Sequence, residues 1–175
     1  MQLKDKIKQI LRKEYPEEKT WKAFIYWWLA ANGYEYDAMK QFVEFTDGSK
    51  DGGIDVIAWP LEIQSKKEVL VVQSKYFQQP PTEMELLRFQ SAIASLNGSL
   101  DQFQSWLGTC RDNLHQSYRK LREQRERHRY ILIAPCRFNY SLKRSLQRKN
   151  IEVHDEDFLA NLERIYSVGK TLIRR

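Results

Sequence analysis

Two short apolar runs constrain this chain more than anything else in it. One is Ile54-Asp55-Val56-Ile57-Ala58, entered through Asp51-Gly52-Gly53. The other is Val69-Leu70-Val71-Val72-Gln73-Ser74-Lys75-Tyr76. Runs of β-prone residues bounded by turn formers read as buried strands. Alternate side chains of a strand share a face, so Asp55, Ile57 and Trp59 point one way, and Gln73 and Lys75 share a direction on the next strand. The segment Trp59 to Glu68 contains Pro60 and a polar run, and can return the chain so that the strands pair. A carboxylate, an amide and an ammonium then converge.

Such a trio has a defined chemistry. A carboxylate is a hard oxygen ligand suited to Mg²⁺, the Gln73 amide adds a neutral oxygen, and Lys75 can hold a water or steady a charged transition state. With a divalent ion these are the parts of phosphodiester hydrolysis. The bland alternative is ordinary turn chemistry for Asp51 and Asp55 around Gly-Gly, with Lys75 a solvated strand end.

Asp-x-Gly-x-Asp at Asp51, Gly53 and Asp55, followed by Gln-x-Lys at Gln73 and Lys75, resembles the Mrr-type branch of the PD-(D/E)xK nucleases. The string Val72-Gln73-Ser74-Lys75-Tyr76 is also similar to the nuclease segment of abortive-infection phage-resistance proteins. The resemblance implies a restriction-endonuclease-like α/β core, a central mixed sheet flanked by helices, with helix, β-meander, helix and strand in order. It implies Mg²⁺-dependent DNA cleavage (Mn²⁺ substituting) leaving a 5′-phosphate, in phage defence or restriction. Asp55, Gln73 and the Ser74 carbonyl would bind the metal, and Lys75 would orient the attacking water. The family's acidic residue on the preceding helix falls near Lys22 here. Glu18 or Asp51 would then supply the missing charge, with Glu35 and Glu44 as further acids nearby. Cutting both strands of a duplex would suit two copies of the chain, and a separate recognition domain is expected. A weakly catalytic DNA-binding module on the same fold, or an RNA-acting nuclease, is the competing reading.

The rest of the chain agrees with a nucleic-acid partner. Its 175 residues suit a single domain, and a formal net charge of +6 favours a polyanion. Cys110 and Cys136 have neither zinc spacing nor a disulfide framework, which fits a reducing cytoplasm. The N-terminus lacks the apolar segment of a signal peptide. The run Ala23 to Ala31 is too short to span a bilayer, so no membrane partner is expected.

Met1 to Tyr15 predicts a basic amphipathic helix stopped by Pro16. A second helix, capped by Thr20, runs from Trp21 to Ala31, with Trp27 off its apolar stripe and partly exposed, and Asn32-Gly33 ends it. Lys40 to Thr46 predicts the first strand of the meander. Residues 82–128 predict two or three helices, an insertion between the third and fourth strands longer than the family's single crossover helix and expected to form an added subdomain or arm. Thr82 caps its first piece, marked by Met84, Leu87, Ala94 and Leu96, and Asn97-Gly98 breaks it. The basic run 119–129 reads either as a solvated, internally ion-paired helix or as a phosphate-contacting arm. In the second case Arg119, Lys120, Arg122 and Arg125, with Lys50, would touch DNA. Tyr130 to Ala134 predicts a parallel strand, Ser141 caps a basic helix, and Ile151 to Val153 is an edge strand. Asp155 caps a last helix with Phe158, Leu159, Leu162 and Ile165 inward.

Overall fold

A computed structural model describes residues 2–33, 42–60, 68–76 and 80–173. The two runs that dominate the sequence lie side by side in the middle of a five-stranded sheet ordered β1-β2-β3-β4-β5. The strands are β1 (Val43–Phe45), β2 (Val56–Ala58), β3 (Val69–Ser74), β4 (His128–Ile133) and β5 (Ile151–His154). The first three form an antiparallel meander, with Val56 opposite Val72 and Ala58 opposite Leu70. β4 runs parallel to β3, and β5 parallel to β4. A parallel neighbour requires a long crossover, and the stretch between β3 and β4 provides it. The predicted first strand is shorter than expected, and its Lys40 lies outside the described residues.

Helices cover both faces. Val56, Ala58, Leu70, Val72, Ile131 and Ile133 pack against α1 (Leu3–Glu14), α2 (Thr20–Ala31) and α7 (Glu156–Ile173). The alternate residues Ile57, Val69, Val71, Tyr130 and Leu132 face the other way. They meet α3 (Glu83–Asn97), α4 (Leu100–Leu107), α5 (His115–Glu123) and α6 (Tyr140–Arg148). Period-two alternation along a sheet buried on both sides produces this two-core arrangement.

The expected insertion therefore holds three helices, but it is not an arm. Leu86, Phe89, Leu96, Phe103, Trp106, Tyr118 and Leu121 belong to the same core as β2 and β3. Met84 and Leu87 are 66% and 51% exposed, because the inward stripe of α3 runs through Leu86, Phe89, Ala92 and Leu96 instead.

Several termini differ from expectation. Thr20 is the first residue of α2 rather than its cap; Lys19 holds that position and makes no side-chain cap. Asn139, not Ser141, caps α6, accepting from the Leu142 N–H at 2.7 Å. Trp27 is fully buried, because α2 is sandwiched between the sheet and other helices, and its ring meets Phe24 and Tyr166. Ile165 is 63% exposed, since the inward stripe of α7 runs through Leu159 and Leu162. The caps at Thr82 and Asp155, the break at Gly98 and the left-handed Gly33 stand as predicted. Among the described residues no helix is long and apolar enough to cross a membrane.

Candidate active site

Asp55 sits one residue before β2, and its backbone is held from both sides. Its N–H donates to the Val72 carbonyl at 2.9 Å, and its own carbonyl accepts from the Thr46 N–H at 2.8 Å. Its side chain then meets the end of β3. Gln73 Nε2 donates to Asp55 Oδ2 at 2.5 Å, and the Ser74 N–H donates to the same oxygen at 2.8 Å. The other oxygen, Oδ1, has no hydrogen-bond partner among the described residues. The carboxyl faces an open cleft of about 470 Å³ lined by Thr20, Trp21, Asp47, Asp55, Val56, Ser74, Lys75 and Tyr76.

Burial pushes the Asp55 carboxyl from the ordinary 3.8 up to about 7. Desolvation disfavours the charged form. The Ser74 N–H opposes that shift, Asp51 and Asp47 add to it, and Lys75 lowers it. Lys75, just past the end of β3, is therefore close enough for its charge to act on Asp55. Its own ammonium donates to Glu85 Oε1 at 2.5 Å. The Glu85 carboxyl is held below the usual range, chiefly by that bond. Glu85 also closes the capping box of α3: its Oε2 accepts from the Thr82 N–H at 2.8 Å, and Thr82 Oγ1 accepts from the Glu85 N–H at 3.2 Å. One carboxylate thus starts the helix and fixes the lysine.

The expected trio does converge, with a division of labour. Asp55, Ser74 and Lys75 line the cleft. Gln73 is 5% exposed and meets Asp55 from the buried side. Asp51 is nearby but occupied: its Oδ1 accepts from the Gly53 N–H at 2.8 Å and from Arg88 Nη2 at 3.0 Å. Glu18 lines a neighbouring hollow, not this cleft. Lys22 is not among the residues that line the cleft, and its Nζ lies 4.8 Å from the Phe45 ring centre. Glu44 accepts from Ser117 Oγ at 2.5 Å and Trp59 Nε1 at 3.2 Å, and Glu35 lies outside the described residues.

Sequence reasoning missed Asp47 and Glu85. Asp47 reads as a turn residue, and nothing local says that its turn borders the cleft. Arg111 places it there, donating to the Thr46, Asp47 and Ser49 carbonyls at 2.8, 3.2 and 3.1 Å. The Thr82-x-x-Glu85 spacing does announce a capping box, but not the reach to Lys75. Among the described residues no group of three or more His, Cys, Asp and Glu could hold a metal.

The basic run lies elsewhere. Arg122 donates to the Ser95, Leu96 and Gly98 carbonyls at 3.2, 3.0 and 2.9 Å, which satisfies the open end of α3. Lys120 Nζ sits 4.3 Å from the Trp59 ring centre, at the end of β2 away from Asp55. Arg119 and Arg125 are exposed, and Arg125 opens the short 3-10 turn that leads into β4. That start pairs with Val69, at the opposite end of β3 from Ser74. Five strand steps of ~3.3 Å separate these ends by roughly 17 Å. Lys50 is exposed in the turn before Asp51, with φ of 54°, and its carbonyl accepts from the Arg111 N–H.

No family model, no curated protein and no solved structure matches the chain.

Proposed function

We propose that the chain is a Mg²⁺-dependent DNA endonuclease of the Mrr-like, restriction-endonuclease class, acting in phage defence or restriction. The observation that carries this reading is the Asp55 carboxyl. It is braced by Gln73 and the Ser74 N–H at one oxygen, stands within reach of the Lys75 charge, and belongs to a residue that lines an open cleft, its other oxygen having no hydrogen-bond partner among the described residues. The strand order, antiparallel meander followed by parallel strands, is compatible with that class.

The donor chemistry fits a hard divalent cation. Asp55 Oδ1 and the Ser74 carbonyl are the groups that would hold it, with Asp47 as a second carboxylate on the same cleft, while Gln73, buried behind Asp55, would steady that carboxylate rather than reach the ion. A carboxyl driven toward neutrality by burial is short of nearby positive charge, and a cation would restore its ionised form. Mg²⁺, when bound, supplies Lewis-acid polarisation of a phosphoryl oxygen and a more acidic water. Gln73 and the Ser74 N–H keep Asp55 in one rotamer. Lys75 offers its ammonium to the water or to the phosphate oxygens. Glu85 holds that ammonium at the mouth of the cleft until substrate competes for it.

A second reading, a DNA-binding module with little catalysis, is favoured by two observations. Lys22 occupies the expected acidic position and packs on an aromatic ring, and Lys75 is already neutralised by Glu85.

Incubating supercoiled DNA with Mg²⁺ or Mn²⁺ separates the two. Under the nuclease reading the wild type nicks or cuts, and Asp55→Ala and Lys75→Ala each lose at least about a hundredfold in rate, the usual scale for a removed catalytic group. Cutting that survives both substitutions rejects this active site. Salt-sensitive binding without cutting selects the module. Parallel incubation with RNA tells the two nucleic acids apart.

A further inference from the structure

The cleft at Asp55 adjoins a second hollow of about 480 Å³, and the two share Thr20 and Tyr76 in their walls. The outer wall of this hollow is α1. Ile7 and Leu11 bury one side of that helix. Lys8 and Arg12, four residues apart and therefore neighbours on the helix surface, line the hollow. Arg12 is close enough for its charge to act on the Tyr76 hydroxyl.

Several cations elsewhere in the fold already have partners. Lys75 pairs with Glu85, Arg88 with Asp51, Arg129 with Glu68 and Glu152, and Lys143 with Asp155. Arg111 and Arg122 are bonded to backbone carbonyls. Lys8 and Arg12 have no ion pair or hydrogen bond among the described residues. Glu18 is the one acid in that wall among the described residues, against the two cations Lys8 and Arg12. Unpaired cations in a concave wall focus a field that favours a polyanion. Because the hollow adjoins the Asp55 cleft, the polyanion that fits it under the nuclease reading is the substrate backbone.

We propose that this α1 hollow is the track for the DNA backbone, with phosphates next to the reacting one seated on Lys8 and Arg12. The track rests on the nuclease reading for the place of the reacting phosphate. It replaces the α5 arm as the main phosphate-contacting surface. The arm's exposed arginines lie at the far pole of the sheet, and Arg122 is committed to the end of α3.

The test measures fluorescence anisotropy of a labelled mixed-sequence DNA duplex in EDTA across a range of salt, so that binding is read without cutting. Lys8→Ala/Arg12→Ala should flatten the slope of log affinity against log salt by nearly two, at ~0.9 per lost phosphate contact. A charge-matched pair on α6, Arg144→Ala/Arg148→Ala, should leave the slope in place. Lys8→Gln/Arg12→Gln repeats the test with side chains that keep more of the stems' packing. An unchanged slope in both α1 pairs overturns the track. So does a slope that falls instead with Arg119→Ala/Arg125→Ala, or a wild type that does not bind DNA. Cleavage is scored separately. If Asp55→Ala abolishes cutting while the α1 pairs change nothing, the track fails and the nuclease reading stands. If the α1 pairs flatten the slope but no metal supports cutting, the track stands and the nuclease reading fails.

Discussion

Asp55 is held in a state it would not choose in water. Its folded carboxyl titrates near 7 against an ordinary value of 3.8, with burial the largest cause. The folded protein therefore binds this proton more tightly than the unfolded chain does. The resulting stabilisation is fully present below about pH 4 and lost as pH rises toward 7. Three units correspond to ~4 kcal/mol at most. Asn at this position keeps an acceptor for the Ser74 N–H and cannot ionise. Asp55→Asn should therefore be more stable than wild type at pH 8 in EDTA, with the two converging near pH 4. Chemical denaturation at several pH values measures this, and parallel pH profiles would contradict it. Gly53 shows a different residue-scale demand. Its φ is +95°, and a Cβ there would lie 2.7 Å from the Arg88 carbonyl oxygen on α3. Glycine is needed both for the left-handed backbone and for the close approach of a helix.

At the scale of elements, the stretch between β3 and β4 is held down at both ends of α3. Its N-terminus is closed by the Thr82–Glu85 capping box, which also fixes Lys75, and its C-terminus by the Arg122 guanidinium. Arg122 also lies over the Phe103 ring, 4.9 Å from its centre. Arg122→Ala should cost ~1–3 kcal/mol in urea unfolding, because it strips donors from partly buried carbonyls. It should not alter the salt slope of DNA binding. A variant with wild-type stability and weakened binding would return this residue to the phosphate-contacting role expected from its basic run. The run itself is split by structure: α5 ends at Glu123, a short 3-10 turn spans Arg125–Arg127, and β4 begins at His128.

For the molecule as a whole, the sheet separates two cores that are tied at different places. On one face, α2 carries Phe24, Trp27 and Trp28 into the interior, and the Trp28 Nε1–H donates to His154 Nδ1 at 2.9 Å across to β5. Trp27 is, with Trp28, the largest fully buried side chain on that face among the described residues, and it joins α2 to α7 through Tyr166. Trp27→Ala should destabilise by ~3–5 kcal/mol, the range for removing a buried large aromatic. Equilibrium urea unfolding checks this, and a loss under 1 kcal/mol would mean that the site collapses around the cavity. The other core stacks α3 to α6 on Ile57, Val69 and Val71, and holds Glu85 and Arg88 beside the cleft. The net charge of +6 describes the whole surface. The placement of Lys8 and Arg12 beside the cleft, and of the α5 arginines away from it, is a property of the fold.

Local patterning alone determined which two runs are strands and which side chains of each share a face, the long helical crossover, the break at Gly98, and the caps at Thr82 and Asp155. Each depends on neighbours within a few residues, through period-two alternation or a side chain that reaches its own helix end. Tertiary structure decided the rest, because each remaining feature joins residues far apart in the chain. Trp27 is buried by α7, although its place on the helix wheel suggested partial exposure. Glu85 meets Lys75 only because α3 packs beside the end of β3. Asp47 borders the cleft because Arg111 gathers three carbonyls of its loop. Lys8 and Arg12 approach the cleft because α1 lies against α2. Composition and motif supply groups of the right kind, but only packing determines which of them share a surface and which are already paired.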